Sequence, residues 1–178
     1  MSSQIKWTLV PVLAVAPTAI TVQGAHAVVY LDEQQAQKAI FGNAKMTKNF
    51  VTLTDDQAKE IKEKSGMDVR HKEVQIWDVD GGGKFIIDEV LGKHEYITYA
   101  IGLNKDGSAK QIEIMNYNES YGYEVRDESW RKQFVGKTTK SDLYLEHDIK
   151  NISGATLSCK HITDGVRRIL ITYNLIRK

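Results

Sequence analysis

Residues 73–117 read EVQIWDVDGGGKFIIDEVLGKHEYITYAIGLNKDGSAKQIEIMNY, and they decide the fold. From Glu73 the apolar period becomes two: Val74-Gln75-Ile76-Trp77-Asp78-Val79 alternates, as a half-buried strand does. Asp80-Gly81-Gly82-Gly83 makes a turn, and Lys84 to Val90 returns as a second strand. Glu95 to Leu103 and Ala109 to Tyr117 form a further pair across Asn104-Lys105-Asp106-Gly107-Ser108, where Asp-Gly is a hairpin signal. Four strands in meander order predict an antiparallel sheet wide enough to receive a helix on one face. The three glycines at 81–83 are not read as a phosphate cradle, because neither Lys-Ser/Thr nor a helix follows them.

Downstream, Asp148 to Leu170 supplies that helix. Ile162, Val166, Ile169, Leu170 and Tyr173 recur at three- and four-residue steps behind Ser153-Gly154-Ala155-Thr156. Ser153 is the expected N-cap, and the residues after it carry backbone N–H groups without partners inside the helix. Such an end attracts anions, phosphate above all. Gly154 and Ala155 lack the bulk to hold a phosphate off, and the Thr156 hydroxyl lies beside the place it would occupy. A plain capped helix start fits the same residues.

Upstream, Leu31 to Phe41 reads as a helix closed by Gly42-Asn43. A second runs from Thr54 as N-cap, with Gln57 as capping-box partner and Gly66 as the stop. Its apolar face, Ala58 and Ile61, is narrow, which places it at the surface. Residues 28–70 are therefore expected to be a helical N-terminal segment and 71–178 the functional domain. The fold class is α+β: an antiparallel sheet of about four or more strands packed against a C-terminal helix, with N-terminal helical segments.

Residues 1–27 fit an export signal: Lys6, an apolar stretch from Trp7 to Ile20, then Ala25-His26-Ala27 as the small-x-small cleavage rule requires. The stretch is shorter than the ~20 residues that cross a bilayer, so cleavage before Val28 is expected over a membrane anchor. A periplasmic or otherwise extracytoplasmic location follows. The 178 residues carry a net charge of +1, which offers no electrostatic attraction to nucleic acid. Cys159 is alone, so no internal disulfide forms. Its place early in a helix would lower its pKa, whereas packing against the sheet would leave it inert. The scattered histidines show no metal-ligand spacing, and no serine sits in a hydrolase elbow.

The run Ile152-Ser153-Gly154-Ala155-Thr156-Leu157-Ser158 resembles the attachment motif of the FMN-binding domain family. That family includes the covalent-flavin subunits of sodium-pumping and ferredoxin-linked membrane oxidoreductases. In it a flavin transferase joins the FMN phosphate to the last Thr of the run, here Thr156. The family places an Asp three residues before the Ser; this chain has Lys150 there and Asp148 two positions earlier. A second landmark is similar as well. Glu119 precedes a loop with Tyr121, Gly122 and Tyr123, and Trp130-x-x-x-Phe134-x-Gly136-Lys137 follows. In the family that loop lies beside the isoalloxazine ring, although there the order is Gly-aromatic/Leu-Gly and here two tyrosines flank one glycine.

The resemblance implies FMN as cofactor, bound through Thr156, Ser153, Gly154, Ala155 and Ser158, with Glu119, Tyr121, Gly122 and Tyr123 near the ring. Lys160, one helical turn beyond Thr156, would offset phosphate charge or stand solvated. The expected function is an exported electron-transfer flavoprotein with FMN phosphoester-linked to Thr156, served by a flavin transferase and a membrane-bound redox partner. An electron carrier is expected over an enzyme with its own substrate. A small periplasmic flavin-dependent reductase and a cofactor-free exported module of the same fold are the alternatives.

Overall fold

The structure, a computed structural model, describes residues 28–177; the expected signal segment lies outside them. Its centre is an antiparallel sheet of six strands: β1 (Val28–Val29), β2 (Met46–Thr52), β3 (Glu73–Val79), β4 (Lys84–Leu91), β5 (Tyr96–Leu103) and β6 (Ala109–Tyr117). Their order is β1-β6-β5-β4-β3-β2. The four strands read from the period-two pattern are present in the expected meander. The flanking pair β1 and β2 was not expected. β2 pairs with β3 along its whole length, from Met46 opposite Val79 to Thr52 opposite Glu73. Its sequence, MTKNFVT, is polar because an edge strand exposes most of its residues, so the alternation that marks a half-buried strand is missing.

Helix α1 (Glu33–Phe41) carries the Asp32–Gln35 capping box, and α2 (Asp55–Ser65) carries the one between Thr54 and Gln57. Gly66 takes the left-handed C-cap of α2 at φ 75°. α1 covers one face of the sheet, where Ala36 and Ile40 meet Trp77, Phe85, Ala100 and Met115. α2 is less peripheral than its narrow apolar face suggests. Ile61 is fully buried and packs with Leu53 and Ile171, a residue of the C-terminal helix.

That helix, α4 (Thr156–Ile176), follows the short α3 (Glu128–Arg131) and lies across the other face of the sheet. Ile162, Val166, Ile169, Leu170 and Tyr173 are all buried against Ile86, Val90, Ile97, Tyr99, Ile101 and Ile112. Gly165 sets the approach distance. A Cβ there would stand 2.6 Å from the Tyr99 hydroxyl and 2.7 Å from Val90 Cγ1. Gly165→Ala should therefore destabilise the protein by about 1–3 kcal/mol, although alanine is the better helix former. A lower denaturation midpoint at unchanged m-value checks it, and a midpoint equal to wild type would refute it.

Candidate functional site

β4 and β6 both run antiparallel to β5, so the loops that follow them leave the same end of the sheet. α4 begins at that end. Loop 92–95, loop 118–121 and the first turn of α4 enclose a cavity of about 480 Å³, within the size range of small-molecule sites. Lys93, His94, Glu119, Ser120, Tyr121, Gly154, Ala155, Thr156, Leu157 and Ser158 line it. Two other clefts are slightly larger at about 520 Å³, one around Arg70 and Arg168, the other around Tyr144 and Arg167. Volume does not single this one out; its chemistry does.

The helix start differs from expectation in one respect. Ser153 is not the N-cap. Ala155 N–H donates to Ile152 C=O at 3.0 Å, and Gly154 turns the chain at φ 85°, so residues 152–155 form a turn before the helix. That leaves Ser153 exposed and too early in the chain to cap. The N-cap position falls to Ala155, whose methyl cannot accept a hydrogen bond, and the first turn carries no acidic residue. The first intrahelical bond runs from Cys159 N–H to Ala155 C=O at 2.9 Å. The N–H groups of Thr156, Leu157 and Ser158 therefore lack intrahelical acceptors at an uncapped, positively polarised end. An anion would find more free donors here than a serine cap would have left.

Thr156 is exposed at this end, and its Oγ1 accepts a hydrogen bond from Asn151 Nδ2 at 3.0 Å. A Cβ on Gly154 would meet nothing within 4 Å, so the backbone there is open to a ligand. Ser158 is turned the other way: it is 4% exposed, and its hydroxyl lies 3.0 Å from that of Tyr117. Lys160 is also directed away from the helix start, its Nζ 2.7 Å from Asp164 Oδ2 one turn further along. Lys93, on the cavity wall, is a cation that sequence reasoning missed. Nothing in the chain between Leu91 and Glu95 marks a site; only the sheet topology brings that loop to the helix.

Glu119 joins the two loops. Its Oε1 accepts from the backbone N–H of His94 at 2.6 Å and of Glu95 at 3.1 Å. Burial alone would raise its pKa, but these bonds and one from Lys93 N–H outweigh that and hold the carboxyl below its ordinary value. A depressed carboxylate pKa stabilises above the unfolded value of about 4.3 and is lost as pH falls through the folded one. Amide exchange at residues 93–95, corrected for intrinsic rates, should therefore rise below about pH 4. Glu119→Gln should raise it roughly tenfold at neutral pH and remove the acid dependence. Unchanged protection in that variant would sink the idea.

On the same wall, Tyr121 is 81% exposed at the cavity mouth. Gly122 packs so closely that a Cβ would stand 2.9 Å from Ala155 Cβ, which presses this loop onto the helix start. Tyr123 is exposed but does not line the cavity. His161 ties the other loop down, with Nδ1 3.2 Å from Gly92 C=O. Trp130 and Phe134 are buried edge to face at 5.1 Å, and Trp130 Nε1 donates to Lys150 C=O at 2.8 Å. The second landmark thus anchors the chain leading into the turn. Cys159 is fully buried, and desolvation pushes its thiol up to about 11, so the inert alternative holds. Among the described residues no group of three or more His, Cys, Asp or Glu could hold a metal ion.

A sequence model of the FMN-binding domain family matches residues 92–171, a span that contains every residue lining the cavity. One subunit of the Na(+)-translocating ferredoxin:NAD(+) oxidoreductase complex of Acetobacterium woodii is 29% identical over 43% of this chain. The aligned part spans 42% of that relative's length. The crystal structure of Shewanella oneidensis NqrC superposes with a TM-score of 0.54 at 14% identity, covering 79% of this chain and 88% of that one. At that identity the likeness is one of fold. The helix start with its unpaired donors, the cavity beside it and the family match all fall on one span, and residues 92–171 belong to the FMN-binding domain family, with FMN as the cofactor.

Proposed function

We propose that the protein is an exported electron carrier that holds FMN through a phosphoester on Thr156. The observation that carries this is the exposed Thr156 hydroxyl, at an uncapped helix end beside a cavity of about 480 Å³. The residues fit the group. The N–H donors of Thr156, Leu157 and Ser158 suit phosphate oxygens, and Gly154 leaves the approach open. Lys93 supplies positive charge, while Tyr121 and Leu157 offer exposed apolar surface to a ring. Bound FMN supplies the redox chemistry; the chain binds it, orients it and prevents its loss.

Export is supported by the charged, apolar and small-residue pattern of residues 1–27. Outside the cytoplasm a covalent link has a clear use, because a dissociated flavin would not be replaced. The Acetobacterium relative is named as part of a larger oxidoreductase complex, which supports a redox partner, and we take that partner to be membrane-bound. Among the described residues no helix is long and apolar enough to cross a membrane. A flavin transferase completes the scheme.

Intact mass of the protein coexpressed with a flavin transferase tests the reading. One added FMN, mapped by peptide analysis to Thr156, is the expected result. Absence of the increment would remove the covalent link, and its location elsewhere would remove Thr156 as the acceptor. Steady-state turnover of the loaded protein with small acceptors separates a carrier from a reductase.

A further inference from the structure

We propose that Asn151 is a positioning residue for flavin attachment, holding the Thr156 oxygen in place with its hydrogen turned outward. The inference rests on the reading that Thr156 carries FMN. Asn151 Oδ1 accepts the backbone N–H of Ile152 at 2.9 Å, and Nδ2 donates to Thr156 Oγ1 at 3.0 Å. The first bond fixes the second: a backbone N–H demands the amide oxygen, so the NH₂ must face the threonine. Thr156 Oγ1 is then an acceptor in this contact, and its own hydrogen points away from Asn151. One lone pair is held, the oxygen is located, and the O–H remains available to a base.

The other polar residues just ahead of the helix are engaged elsewhere or exposed. Lys150 is exposed, with its N–H on Gln133 Oε1 and its C=O on Trp130 Nε1, each at 2.8 Å. Asp148 is engaged by Lys137 Nζ at 3.0 Å and Leu143 N–H at 3.2 Å. Ser153 is exposed in the turn. The side chain that orients Thr156 is the neutral amide next to Lys150.

The step balances with a flavin dinucleotide as donor. Thr156 Oγ1 attacks the phosphorus of the FMN half and forms the Oγ1–P bond. The pyrophosphate P–O bond breaks, AMP leaves with its electron pair, and the hydroxyl proton passes to a base of the transferase. Nothing is oxidised or reduced. Phosphoryl transfer depends on in-line placement of the attacking oxygen, so a residue that fixes that oxygen acts on the rate.

The test uses apoprotein, a flavin transferase and flavin adenine dinucleotide, with initial rates of FMN addition read by intact mass across apoprotein concentrations. Asn151→Ala should lower kcat on the order of ten- to a hundredfold and leave KM for the apoprotein unchanged. Asn151→Asp should not recover that loss, although it keeps an oxygen for Ile152 N–H, since a carboxylate can only accept the Thr156 hydrogen and so turns the O–H inward. Asn151→Ser keeps an oxygen for Ile152 N–H without reaching Thr156; it should behave like the alanine variant even if the latter folds poorly. Wild-type kcat in Asn151→Ser or in Asn151→Asp, or a loss confined to KM, would overturn the proposal. If wild type itself gains no mass, the Thr156 reading fails and takes this one with it. Normal wild-type loading with an unaffected Asn151→Ser overturns the role of Asn151 alone.

Discussion

Thr156→Ala should abolish covalent FMN completely while leaving the fold intact, a loss of the entire mass increment rather than a fraction of it. Attachment needs one oxygen, and alanine removes that atom. Ser153 is exposed but lies on the far side of a turn, and Ser158 is buried against Tyr117, so neither can take over. Stability should move by less than about 0.5 kcal/mol, because Thr156 is exposed and gives up one hydrogen bond, to Asn151. The N–H groups of the first turn belong to the backbone and survive the substitution. The variant should therefore still bind FMN reversibly, with bound flavin lost on denaturation and gel filtration. Coexpression with a transferase, followed by intact mass and in-gel flavin fluorescence, checks this. Thr156→Ser, which keeps the oxygen, should load. A covalent increment in Thr156→Ala would place the linkage on another residue.

Arg168→Ala carries the largest expected cost in stability, about 3–5 kcal/mol. The guanidinium is buried, its side chain 6% exposed, and it bridges three parts of the chain. It donates to Asp88 Oδ2 at 2.6 Å and to Glu89 C=O at 3.1 Å on β4. It also donates to Asp68 C=O at 3.0 Å, just after α2. The same carboxylate oxygen accepts the Tyr99 hydroxyl at 2.7 Å, and burial together with the Asp88 charge raises that phenol well above its ordinary pKa. Removing Arg168 leaves a mostly buried carboxylate without its cation and two carbonyls without a donor. The melting temperature should fall by roughly 10 °C. Asp88→Asn in the Arg168→Ala background should recover part of the loss, since a neutral amide still accepts from Tyr99 and strands no charge. A double variant no more stable than the single one would show that the orphaned carboxylate is not the source of the cost.

The antiparallel core was legible because β3 to β6 bury one or both faces, and burial writes itself into the sequence as alternation. The capping box at Thr54 was legible for a related reason: every contact that makes a cap lies within three residues. The one at Asp32 has the same spacing and went unread. β2 was not, since an edge strand carries no such pattern. The helix start was misplaced by the same locality. Ser153 looks like a cap until Gly154 adopts a left-handed conformation and inserts a turn between it and α4.

Residue type alone therefore determined the sheet, the helix that packs on it and the threonine offered at that helix's end, because period, caps and motif are short-range properties of the chain. Tertiary structure decided the rest. Lys93 and Glu119 lie far from Thr156 in the chain and meet it at one cavity only because β4 and β6 run the same way and end at the same edge of the sheet. Lys160 and Ser158 stand close to Thr156 in sequence yet face away, one drawn off by Asp164 and the other by Tyr117. Which neighbours a side chain prefers is settled by packing, and packing is not written in spacing.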